Sequence, residues 1–152
     1  MSIFHSMNTT ASALSAQRLR MDVVSSNMAN VDTTRGEYVN GEWVPYSRKQ
    51  VVFQPKEGSF SNFLNVAIGS KQNAAIGNGV VATKIVKDDT PFNLVYDPTH
   101  VDANEDGYVE MPNVDPLREM VDLMSATRSY EANITVFNAS KGMMMKALEI
   151  GK

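Results

Sequence analysis

Asp115–Lys152 reads DPLREMVDLMSATRSYEANITVFNASKGMMMKALEIGK, and the rest of the chain is interpreted around it. Steps of three and four through it pick out Met120, Leu123, Thr127, Tyr130, Ile134, Phe137, Lys141, Met144 and Leu148, with Met124 beside them. Apolar residues dominate this narrow stripe, and a stripe repeating every 3.5 residues is the seam of a coiled coil. Asp115 suits an N-cap, because its carboxylate accepts from free N–H groups of the first turn, and Pro116 suits the first helical position. Gly151 suits a C-terminal stop. A helix of this length spans about 50 Å. It cannot bury its own stripe, so it needs a partner helix.

The chain supplies one at its other end. Residues 3–29 contain no Gly or Pro and carry a stripe of the same period: Phe4, Met7, Ala11, Leu14, Arg18, Met21, Ser25 and Met28. The opposite face is mostly Asn, Ser, Thr and Gln, without the i,i+4 ion pairs common on water-facing helices. Asn27-Met28-Ala29-Asn30 and Val31-Asp32-Thr33-Thr34 end the helix, since Asn, Asp and Thr offer the backbone competing hydrogen bonds. The ten methionines lie in the two terminal segments or just before the second, and none lies in the middle. Methionine adapts to irregular neighbours, which suits either a soft helical core or packing against several different chains.

The middle reads as β. Glu37-Tyr38-Val39 and Glu42-Trp43-Val44 flank Asn40-Gly41, a dipeptide that favours a type I′ hairpin turn. Tyr46–Gln54, Val80–Lys87 and Phe92–Tyr96 read as further strands, and 55–79 as a flexible loop with a short helical turn. The expected class is therefore α+β. Residues 1–30 and 114–152 form the two helices of a coiled-coil domain, and 31–113 form a small β-rich outer module between them.

Composition narrows the function. Net charge is -3 over 152 residues, so no basic excess points to nucleic acid. No apolar run reaches the length of a membrane span. There is no cysteine, hence no disulfide framework or thiolate chemistry. The N-terminus lacks a charged segment followed by an apolar one, so no cleaved secretory signal is expected. Asp102-Ala103-Asn104-Glu105-Asp106-Gly107 matches the first half of a calcium loop, but Asn113 stands where a bidentate Glu belongs. A plain turn, without calcium, is the expectation. His5 and His100 are isolated, so neither a zinc site nor a nucleophile–base pair is expected. No phosphate-binding glycine loop occurs. The chain is expected to hold no cofactor, no metal and no catalytic residues.

Longer strings carry a family likeness. Gly107-Tyr108-Val109-Glu110-Met111-Pro112-Asn113-Val114-Asp115, Glu119–Met124 and Arg128-Ser129-Tyr130-Glu131-Ala132-Asn133 closely resemble the proximal-rod members of the bacterial flagellar axial (rod and hook) protein family. So do Ala13–Val23, Ser26-Asn27-Met28-Ala29-Asn30 and Pro45–Phe53. The motif positions are Asn27, Asn30, Gly107, Tyr108, Pro112, Asn113, Arg128, Tyr130 and Asn133. The stretch Thr33-Thr34-Arg35-Gly36 departs from the wider family by extra residues before the tyrosine. The resemblance implies a subunit of the periplasm-spanning basal-body rod, with terminal helices lining a hollow core. It implies export through the flagellar type III apparatus. Implied partners are other copies of the chain, rod proteins of the B, F and G types, and the adapter of the FliE type.

From the residues alone, a structural assembly subunit and a soluble helical-hairpin adaptor both fit two stripes and a β insert. An assembly subunit makes heterologous contacts that build an open helix, whereas an adaptor folds alone as a discrete monomer or dimer.

Overall fold

The computed structural model describes residues 3–56 and 79–150. The expected loop at 55–79 therefore lies largely outside the described residues. The order is α1 (Ile3–Ala29), β1 (Glu37–Val39), β2 (Glu42–Val44), β3 (Lys49–Pro55), β4 (Val80–Lys87), β5 (Asn93–Tyr96), β6 (Tyr108–Met111) and α2 (Pro116–Ile150). The class is α+β: two long terminal helices with small strand pairs between them. Among the described residues none of the helices is long and apolar enough to cross a membrane.

Each boundary has a local cause. Asp115 Oδ1 accepts from Leu117 N (2.9 Å) and more weakly from Arg118 N (3.4 Å), so it is the expected N-cap, with Pro116 as the first helical residue. At the end of α1, Asn30 Nδ2 donates to Ser26 O (2.8 Å) and Thr33 Oγ1 donates to Asn30 Oδ1 (3.2 Å), which occupies a carbonyl the helix leaves open and fixes the amide that does so. β1 and β2 pair antiparallel around Asn40 (φ 54°) and Gly41 (φ 98°), the two left-handed residues that a type I′ turn needs. Gly36 is required by crowding. A Cβ there would lie 2.6 Å from Tyr46 N, where the chain returns after β2.

The strands form three two-stranded antiparallel or paired sheets among the described residues, β1 with β2, β3 with β4 and β5 with β6, the first and last of them antiparallel. β3 starts at Lys49, three residues later than the sequence suggested. The backbone before it is engaged elsewhere: Tyr46 N donates to Thr33 O (3.1 Å) and Arg48 N to Asn113 Oδ1 (2.7 Å). β6 was not expected at all. Its register pairs Asn93 with Met111 and Tyr96 with Tyr108. Only Val109, 2% exposed, faces inward fully, so four residues carry too little alternation to announce a strand.

Two compact units divide the chain: Met1–Leu19 with Phe53–Thr83 and Thr127–Lys152, and Arg20–Val52 with Lys84–Ala126. Both helices contribute to each. In the first unit, the buried helical side chains are small: Thr10, Ala16 and Ser140. Ser12 Oγ accepts from Val80 N (3.1 Å), and Lys56 N donates to Gly79 O (2.9 Å). In the second unit, Val23, Val24, Val109, Val114 and Ala126 make the apolar core. There Arg20 meets Asp122 (2.8 Å) and Asn27 meets Glu119 (2.9 Å), so the helices run antiparallel.

In the isolated chain each helix covers only part of its surface. On α1 the buried residues are Thr10, Ala16, Val23, Val24 and Asn27. Phe4 and Ala11 are exposed, while Met7, Leu14, Met21 and Met28 are half-buried. On α2 the covered line is Glu119, Leu123, Ala126, Tyr130, Asn133, Phe137, Ser140 and Met144. Leu123, Tyr130, Phe137 and Met144 are shared with the expected seam. Met120, Met124, Ile134 and Leu148 are exposed. Small and hydrogen-bonding side chains occupy most of the fully buried helix positions. A hydropathy reading assigns those positions to their larger apolar neighbours.

Candidate functional site: a buried polar lock beside an open apolar helix face

Three of the motif residues meet in one place, in the Arg20–Val52 and Lys84–Ala126 unit. Asn27 is fully buried and uses all its bonding capacity. Its Nδ2 donates to Lys49 O (2.8 Å) and Glu119 Oε2 (2.9 Å). Its Oδ1 accepts from Lys49 N (2.9 Å) and the Tyr46 hydroxyl (3.0 Å). The side-chain amide thus pairs with a strand peptide as another strand would, and joins α1 to the start of β3. Asn113 does the same from the other side. Its Oδ1 accepts from Arg48 N (2.7 Å), and its Nδ2 faces Asp88 O (3.2 Å) and Thr90 O (2.9 Å). Pro112, also buried, accepts from Asn93 Nδ2 at its carbonyl (3.1 Å).

Between the two amides lies Arg48, 6% exposed. Its Nε donates to the fully buried Glu119 (2.6 Å), and its terminal nitrogens reach Asp88 (3.3 Å) and Asp122 (3.5 Å). Burial opposes the guanidinium charge, but the hydrogen bonds and charges of Glu119 and then Asp88 outweigh it, so the proton is held more firmly than on a free arginine. The Asp88 carboxyl is held below the ordinary carboxylate range. The Thr90 backbone N–H contributes most, and the Thr90 hydroxyl, Arg48 and Gln50 add to it against the cost of burial. Arg20 completes the group through Asp122. Such a lock works by satisfaction. Each buried charge has directed partners, and removing one strands the others.

Sequence reasoning found Asn27 and Asn113 through the motif but missed Arg48, Glu119, Asp88, Asp122 and Arg20. Glu119 in the first turns of α2 passes for an ordinary helix-dipole acid. Arg48 passes for a strand-edge charge. No local signal joins residues this far apart in the chain.

The remaining motif residues have separate places. Asn30 closes α1. Asn133 Nδ2 donates to Ser129 O (2.8 Å) within α2. Arg128 is 86% exposed on its side chain and lies 3.8 Å from Glu131. Gly107 (φ 80°) closes the β5–β6 turn, and Tyr108 opens β6. In that turn, Asp102 receives Thr34 Oγ1 (2.8 Å) and Arg35 Nε (2.7 Å), while Asn104 Oδ1 receives Asp106 N and Tyr108 N. Asp102, the first oxygen position of the calcium-like string, thus ties the turn to Thr34 and Arg35, and Asn104, the next, serves the turn itself. No group of three or more His, Cys, Asp or Glu side chains suited to a metal occurs among the described residues.

The other feature of the site is surface. Along α2, Leu117, Met120, Val121, Met124, Ile134, Val136, Met143, Met145, Leu148 and Ile150 are exposed, as is Phe4 on α1. These large apolar side chains are left in solvent by the chain itself.

Known proteins place this arrangement. Residues 7–35 match the family of flagella basal body rod proteins, and residues 105–150 match the C-terminal family of the flagellar basal body rod FlgEFG proteins. The chain is 66% identical to the flagellar basal-body rod protein FlgC of Bacillus subtilis (strain 168), over 152 residues and 100% of both chains. The chain belongs to the FlgC family. The FlgC of Borreliella burgdorferi is 43% identical over 99% of this chain and 98% of its own. That of Escherichia coli O157:H7 is 42% identical over 100% of both. The two FlgC-family segments matched by the rod models contain most of α1 and the stretch from the β5–β6 turn through α2. Those segments hold Arg20, Asn27, Asn113, Glu119 and Asp122 of the lock.

Proposed function

We propose that the chain is a structural subunit of the flagellar basal-body rod, in its proximal part, and that it performs no catalysis. The observation that carries this reading is the end-to-end similarity to FlgC proteins, combined with terminal helices whose large apolar side chains stay uncovered. The lock holds the middle strands against both helices in one unit. The apolar face of α2 is left for neighbours, which is how a subunit adds to an open helical assembly. The neighbours are other copies of the chain, rod proteins of the B, F and G types, and the adapter of the FliE type. The subunit reaches the rod through the flagellar type III export apparatus and sits in the periplasm-spanning shaft that transmits torque.

Deletion of the gene in its own host tests the reading. The expected result is a non-motile strain with no rod in isolated basal bodies, restored by the intact chain. Motile cells with complete basal bodies after deletion would overturn it.

A further inference from the structure

Two hairpins in the Arg20–Val52 and Lys84–Ala126 unit leave aromatic side chains in solvent. On β1 and β2, Tyr38 and Trp43 are cross-strand partners with ring centroids 5.1 Å apart, exposed at 61% and 55%. On β5 and β6, Tyr96 and Tyr108 are partners with centroids 5.3 Å apart, and Leu94 pairs with Glu110 on the same face. Tyr96 and Leu94 are 65% and 64% exposed. Trp43 and Tyr108 line one cleft of about 440 Å³, together with Glu42, Glu110 and Asp102. These carboxylates differ in state. Asp102 is neutralised by Arg35 and held in place by Thr34. Glu42 and Glu110 have no ion pair or side-chain hydrogen bond among the described residues. Among the described residues no Lys or Arg lines the cleft.

We propose that this cleft is a docking surface for a neighbouring protein that inserts a basic side chain, arginine above lysine, into the space lined by Trp43, Tyr108, Glu42 and Glu110. Charge complementarity selects the occupant. Two carboxylates with no ion partner among the described residues repel an acidic partner and leave a neutral one without a bond. A guanidinium stacks on indole and phenol faces while donating to carboxylates in a fork geometry, which an ammonium cannot match. Exposed Trp and Tyr are the residues that dominate binding at the centres of interfaces. The identity of the partner as an assembly neighbour rests on the rod reading, whereas the preference for a basic side chain rests on the cleft alone.

Trp43 is the only tryptophan, so its fluorescence reports the cleft directly. The full chain is titrated with a tetra-arginine peptide, with a tetra-glutamate peptide and with calcium chloride. The expected result is a saturable change with tetra-arginine only. It weakens at least about tenfold in the Glu42→Gln, Glu110→Gln variant and falls with salt. The melting temperature of that variant is expected to stay unchanged, because neither carboxylate has a partner among the described residues. An equal response to tetra-glutamate, a response to calcium alone, or a tetra-arginine response untouched by the two substitutions would overturn the proposal. In cells, Glu42→Lys with Glu110→Lys is expected to abolish swimming. A motile double variant in a host where gene deletion abolishes swimming overturns this inference and leaves the rod reading standing. Motility after deletion overturns the rod reading instead.

Discussion

Arg48 and Asn27 show how much one buried residue can hold. Arg48→Ala leaves Glu119 fully buried without its guanidinium and removes a partner from Asp88 and Asp122. Breaking a buried charge group in this way costs about 3 to 5 kcal/mol, so the variant should melt at least several degrees below the parent in calorimetry. An unchanged melting temperature would mean that the lock contributes nothing to stability. Acid tests the same residues. Asp88 and Asp102 both titrate below the ordinary carboxylate range, Asp88 through Thr90 above all and Asp102 through Arg35 and then Thr34. Their folded pKa values are depressed, so the unfolded chain takes up protons first as pH falls. Their stabilising contribution is therefore full above about pH 4 and is lost progressively below it. Melting temperature measured from pH 7 to pH 2 should fall along that acid limb, and less steeply in Asp88→Asn.

Among the elements, the helices differ along their own length. Residues 20–29 of α1 and 116–126 of α2 carry the lock, with Arg20–Asp122 and Asn27–Glu119 as cross-helix bonds. Residues 4–19 and 127–150 fully bury only small side chains and leave Phe4, Ile134, Val136 and Leu148 in solvent. Burial of small side chains returns little free energy against the roughly 1 to 2 kcal/mol per residue spent on ordering the backbone. Hydrogen exchange on dilute subunit should therefore show strong protection in 20–29 and 116–126 and weak protection in 5–16 and 134–148. Equal protection throughout would favour a self-sufficient adaptor over an assembly subunit. Leu123, Tyr130, Phe137 and Met144 of the expected stripe are half-buried in the chain itself. The burial of Ala126 and Ser140 was not legible, because it follows from what lies opposite them rather than from their hydropathy.

For the whole molecule, the exposed side of α2 separates folding from assembly. Ile134 is 37% exposed and outside the covered seam, so Ile134→Asp should leave the stability of the free subunit within about 1 kcal/mol of the parent. In the rod, the same carboxylate would face an apolar neighbour without a partner. The strain should make and export the protein, build no rod and fail to swim, whereas Glu149→Ala, which removes only a surface pair with Lys146, should swim nearly normally. Swimming by the Ile134→Asp strain would show that this face meets no neighbour.

The sequence by itself determined the elements whose causes are local. The Asp115 cap, the Asn40-Gly41 turn and the extent of α1 all depend on residues within a few positions of one another. Its long motif strings also determined the family. Tertiary structure alone decided the face each helix buries, the existence of β6 and the union of Asn27, Arg48, Asp88, Asn113 and Glu119. These depend on pairs separated by tens of residues, such as Arg48 with Glu119, whose charges repay their desolvation only when the fold has brought them within hydrogen-bonding distance. A charge that looks like ordinary surface in one segment becomes a buried anchor because of what another segment carries to it.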